Sequence, residues 1–134
     1  MAGVYDDVIS VVMRDRKTWA CSLVHLDASS WKVTKTWPMP ACIKSPKLLA
    51  DGRVVGVAEI TGPGDIPGDD EVVVWEPGAE SLFQLTQGAY REELVHPTRD
   101  GKKLVFNRRL DKPPEKFSVG NYRRVVCELE LPEK

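Results

Sequence analysis

An all-β fold is predicted by three features of this sequence. Helical periodicity is scarce, and β-branched and aromatic runs bounded by Gly, Pro, Asp and Ser recur along the whole chain. Two Asp-Gly pairs, Asp51-Gly52 and Asp100-Gly101, lie 49 residues apart between similar apolar flanks. Asp-Gly is a strong hairpin signal, because glycine accepts the positive φ that a primed two-residue turn demands and Asp tolerates it. The chain has 134 residues, 42% hydrophobic and 29% charged, with a formal charge of −1. These are the values of one globular domain, and they speak against a generally basic nucleic-acid binder. No run approaches the ~20 apolar residues of a membrane span, and residues 1–7 lack the basic and apolar regions of a signal peptide, so a cytoplasmic location is expected. Cys21, Cys42 and Cys127 are odd in number and widely spaced. Neither a disulfide framework nor a metal clamp is suggested, and reduced, buried thiols are expected.

Taken in order, the first strand is expected at Val8 to Met13, turned by Arg14 to Lys17. The next, Trp19 to Leu26, places Trp19, Cys21, Leu23 and His25 on one face, since side chains alternate along a strand. Trp31 to Trp37 alternates more cleanly, with Trp31, Val33 and Trp37 opposite Lys32, Thr34 and Thr36, as in an outer strand with one wet face. Trp37-Pro38-Met39-Pro40 lacks ladder donors at each Pro and reads as a crossover. Then come Cys42 to Leu49, the Asp51-Gly52 turn, Arg53 to Ile60, a Gly/Pro loop from Thr61 to Asp70, Glu71 to Glu76, a Pro77-Gly78 turn and Ser81 to Thr86. After Gln87 to Tyr90 the cycle restarts with Glu92 to Val95, the second Asp-Gly hairpin, a Pro-rich loop from Asp111 to Gly120, and Tyr122 to Leu131.

The echo extends beyond the turns. Leu23 to Asp27, a turn and a strand ending at Thr36-Trp37 correspond, 49 residues on, to Val72 to Glu76, a turn and a strand ending at Leu85-Thr86. A ~50-residue period of four short strands is what a propeller blade needs, since a lone four-stranded sheet cannot cover its own faces. Ser45-Pro46 with Asp51-Gly52-Arg53, then Pro97 with Asp100-Gly101-Lys102 and Phe106, and the closing Leu85-Thr86, resemble the TolB-type, WD-like β-propeller repeat. The resemblance spans about two and a half blades, with units at about 1–38, 39–88 and 89–134 of a single domain. Ser45-Pro46 stands further from Asp51 than the pattern has it, and His96-Pro97 replaces Ser-Pro. Closed propellers have four or more blades. The resemblance therefore implies an incomplete ring, completed by a second copy; the alternative is a monomeric open barrel or sandwich with the same strands.

Charge is unevenly placed. From Glu59 to Glu80 the acids are Glu59, Asp65, Asp69, Asp70, Glu71, Glu76 and Glu80, with no Lys or Arg; from Arg99 to Arg124 nine basic residues face three acids. Such patches can steer association and set register, or simply be solvated faces. Catalytic motifs are thin. The two histidines, His25 and His96, lie in no metal-ligand spacing, and no GxSxG, GxxxxGK[ST] or GxGxxG occurs. His25 reads as a packed, hydrogen-bonded core histidine and His96 as a turn residue. Asp65, Asp69 and Asp70 miss the EF-hand spacing and read as loop acids. A reactive thiol at Cys21, Cys42 or Cys127 would need a basic neighbour and a cleft, neither visible in the sequence. Arg108-Arg109 and Arg123-Arg124 flank a loop containing Phe117 and Tyr122, a combination able to serve single-stranded nucleic acid, but alternation splits each Arg pair between faces.

The expectation is thus a propeller-like, non-catalytic protein-interaction module that forms a homodimer. Its recognition residues are Asp65, Asp69, Asp70, Arg108, Arg109, Phe117, Tyr122, Arg123 and Arg124, carried on loops. No cofactor or metal, no membrane and no nucleic acid is expected, and another protein is the alternative partner. The competing reading is a hydrolytic or carbohydrate-active propeller enzyme with a central-channel site, which requires His25 or His96 to line a pocket with a carboxylate or metal.

Overall fold

The computed structural model describes residues 3–5, 7–60, 70–88, 91–109 and 124–134. Eleven strands are found among them, in three antiparallel sheets. The first sheet has the order β1 (Gly3–Tyr5), β2 (Val8–Arg14), β3 (Cys21–Asp27), β4 (Val33–Pro38). The middle sheet is β5 (Lys44–Leu48), β6 (Val54–Glu59), β7 (Asp70–Trp75), β8 (Phe83–Gln84). The third runs β9 (Arg91–Pro97), β10 (Lys103–Arg109), β11 (Arg124–Glu130), with β10 central.

The all-β expectation holds, and packing follows from the period of two. Along β6 and β7, Val54, Ala58, Val73 and Trp75 point one way and join Cys21, Leu23, Ile43 and Leu48 in a core between the first and middle sheets. Val55, Val57, Val72 and Val74 point the other way and meet Val95, Leu104 and Phe106 of the third sheet. A strand covered on both faces loses polar alternation, which is why β7 reads as a run of valines. Trp75 is almost fully buried, and its indole N–H donates to Ala79 O at 3.0 Å.

The hairpins are built by local polar chemistry. Asp27 Oδ1 accepts from the backbone N–H groups of Ser29 and Ser30, both at 2.9 Å, while Trp31 N–H donates to Asp27 O. Asp15 does the same for Lys17 and Thr18, with Trp19 N–H donating to Asp15 O. At the Asp-Gly sites, Gly52 N–H donates to Leu49 O and Gly101 N–H to Thr98 O. Each glycine closes a four-residue turn at positive φ, 92° and 71°, rather than sitting at the centre of a two-residue turn.

The blade arrangement inferred from the repeat is corrected by this topology. The three sheets are separate and open, and none curls or closes on itself. The resemblance to the TolB-type, WD-like repeat, the propeller-like stack and the ring completed by a second copy all fall with it. What recurs at 49 residues has a local cause: the same turn chemistry joins β5 to β6 and β9 to β10, and any antiparallel sheet can use it.

A second correction concerns the face of β4. Its register with β3 shifts between His25 and Leu26, so Trp37 pairs with Leu23 while Val33 pairs with Leu26. The bulge puts Val33 and Trp37 on opposite faces, where strict alternation had placed them together. Trp37 turns inward against His25, rings 4.6 Å apart and edge to face, and Val33 turns outward.

Candidate functional site

Three features beyond the cores carry chemistry: an ion-pair network at one end of the middle and third sheets, a cleft beside a disulfide, and the outer face of the first sheet.

The network gathers part of the residue set expected from sequence. Asp70, at the start of β7 and nearly buried, accepts from Lys44 Nζ at 2.8 Å and pairs with Arg91 Nε at 3.4 Å, tying β5 of its own sheet and β9 of the next to one carboxylate. Arg108 pairs with buried Glu92 at 3.0 Å and lies over the Phe106 ring. Glu92 holds the Arg108 guanidinium more firmly protonated than usual, chiefly through this hydrogen bond. Glu93 receives Arg109 and, at 3.2 Å, Arg124. Asp70, Arg108, Arg109 and Arg124 therefore all engage partners inside the fold. Asp65, Asp69, Phe117, Tyr122 and Arg123 lie outside the described residues. Sequence reasoning missed Glu71, fully buried, which accepts from the Thr86 hydroxyl at 2.6 Å while Thr86 Oγ1 accepts from Val72 N–H. The signal was present as the Leu85-Thr86 end of the second unit.

The expectation of reduced cysteines also fails for two of the three. Cys21 and Cys42 form a disulfide, and Cys127 is free and half-buried. The return of the chain along β4 brings Met39 N–H to Cys21 O, and Cys42 follows within reach, Cα to Cα 5.3 Å. A cleft of about 230 Å³ opens beside the bond, lined by Val12, Arg14, Cys21, Cys42 and Lys44 among others.

The outer face of the first sheet carries rows without charge among the described residues. Cross-strand pairing sets Val4, Ile9, Leu26 and Val33 in one row, Val11, Val24 and Thr36 in the next, and Met13, Ser22 and Pro38 in a third. No charged side chain stands in these rows. Val4, Met13 and Val33 are more than half exposed, Ile9, Val11 and Leu26 are partly exposed, and Val24 in the middle is buried beneath its neighbours. The corresponding face of the third sheet carries Lys103 paired with Glu128, and Arg109 and Arg124 paired with Glu93.

A larger trough of about 560 Å³ runs under the C-terminal residues, where Arg53 pairs with Asp51 and Lys134 donates to the Asp51 carbonyl oxygen. Neither histidine lines it. His25 lies against Trp37, and burial followed by the Lys35 charge holds its pKa below the ordinary value. Among the described residues no group of three His, Cys, Asp or Glu side chains is placed to hold a metal. With no ring and no such cluster, the propeller-based interaction module and the propeller-type enzyme are both set aside. No known protein family, curated protein or solved structure matches the chain.

Proposed function

We propose that the chain is a homotypic association domain whose working surface is the outer face of the first sheet, covered by the same face of a second copy. The observation that carries this reading is the uncharged row structure on β1 to β4. The strands lie about 4.8 Å apart and three of the four run about 20 Å, with the three-residue β1 about half that, which gives a footprint of roughly 350 Å², the size of the largest apolar patch on an ordinary monomer and one that is often functional. Sheets with apolar faces pack face to face about 10 Å apart. Self-pairing is favoured over a head-to-tail contact, because the far face of the stack is charged and would have to be desolvated against valine and methionine. A two-fold axis makes one patch complementary to itself. Doubled, the footprint of roughly 700 Å² falls below the ~1,200 Å² at which stable interfaces begin, so the dimer should be weak and concentration-dependent.

Sedimentation over a wide concentration range tests this. The expected result is a monomer–dimer equilibrium that Met13→Lys with Val33→Lys shifts to monomer, while both exposed positions leave the fold intact. A wild-type chain that stays monomeric at millimolar concentration, or a dimer unmoved by the two lysines, would overturn it.

A further inference from the structure

We infer that the Cys21–Cys42 disulfide is an exchange site for small anionic thiols, with Cys42 as the sulfur that is modified. The two requirements for a reactive cysteine, a cation and an opening, are both met at this bond. The cleft beside it is lined by Arg14 and Lys44. Lys44 is committed to Asp70, whereas Arg14, directly across the ladder from Cys21, has no carboxylate partner among the described residues. Arg14 is placed by its stacking over the Trp19 indole, 5.5 Å to the ring centre, and the carbonyl oxygen of Trp19 lies 3.5 Å from Cys42 Sγ.

The two sulfurs are not equivalent. Cys21 belongs to the buried core between the first two sheets, while Cys42 is half-buried at its edge. An incoming thiolate therefore reaches Cys42. Its sulfur forms a bond to Cys42 Sγ as the Cys21–Cys42 bond breaks, and Cys21 departs as a thiolate beside the Arg14 cation. Cys21 then takes up the proton that the incoming thiol gave to solvent. One disulfide is exchanged for another, with no net oxidation or reduction. A thiol bearing carboxylates is drawn to the unpaired guanidinium, and the same charge stabilises the leaving thiolate. The fitting reagent is a short acidic peptide thiol.

The test uses the intact oxidised protein, with glutathione and its diethyl ester as probes at equal thiolate concentration. Intact-mass analysis gives the rate, and peptide mapping gives the site. At low salt the adduct should form on Cys42, about fivefold faster with glutathione than with the ester, the ratio one charge contact near 4 Å provides in water. Molar salt and Arg14→Gln should each remove the difference. Equal rates for the two thiols would overturn the proposal. So would an adduct on Cys21, an adduct on Cys127 alone, or no adduct under conditions in which the unfolded chain exchanges fully. Should Arg14→Gln misfold, the salt comparison on the unaltered protein decides the question by itself.

Discussion

Gly56 and His25 show how single positions in the first core are set by their neighbours. A Cβ on Gly56 would run into Ile43 Cγ2 and come within 2.7 Å of Lys44 O, so only glycine lets the entry to β5 lie against β6 where their register shifts. Gly56→Ala is expected to cost about 2 kcal/mol, as overpacking does, read from urea midpoints at unchanged slope. His25 has its Nε2 buried without a partner among the described residues, and burial and Lys35 lower its pKa. The unfolded chain then binds a proton that the fold refuses. Its contribution is neutral above the unfolded value of 6.5 and turns against the fold as pH falls below it. The urea midpoint should therefore drop between pH 7 and pH 5 more steeply in the wild type than in His25→Gln; parallel curves would exclude this cause. The packing of His25 was legible from its apolar row but the hydrogen bond expected with it is not found at Nε2 among the described residues, and the close approach at Gly56 depends on a bulge that no spacing announces.

Among the elements, strands were read well where alternation or a continuous apolar run was strong, as at β2, β6 and β7. Faces were read less well: one extra residue opposite His25 and Leu26 reversed Val33, and with it the character of the outer surface. The disulfide was hidden for a different reason. A separation of 21 residues carries no signal until β3 and β4 have paired and returned the chain to Cys21. It closes a loop that contains both strands, so replacing both cysteines with serine should lower stability by about 3 kcal/mol through the unfolded state. Thermal unfolding of the oxidised, reduced and Ser/Ser proteins checks this, the last two being expected to coincide below the first. An oxidised-to-Ser/Ser difference of zero would mean that the link constrains nothing.

At the level of the molecule, sequence reasoning reached the all-β class and missed the arrangement, because a turn repeat reports on hairpins while closure depends on how whole sheets are placed. The charge asymmetry noted in the sequence does not join its two runs in these ion pairs: Asp70 of the acidic run takes Lys44 and Arg91, and Arg108, Arg109 and Arg124 of the basic run take Glu92 and Glu93. Association through the first sheet likewise belongs to this scale, since no single residue creates an uncharged face. The ionic outer surface of the third sheet has a consequence for any such assembly. A stack with two sticky ends would add copies without limit and grow into filaments. Here the far end is occupied by Lys103, Glu128, Arg109, Glu93 and Arg124, already paired with one another and kept in water. The one large apolar side chain exposed among these pairs, Val126, is flanked on its strand by Arg124 and Glu128, so a third copy would have to desolvate those ions to reach it, and growth stops at two.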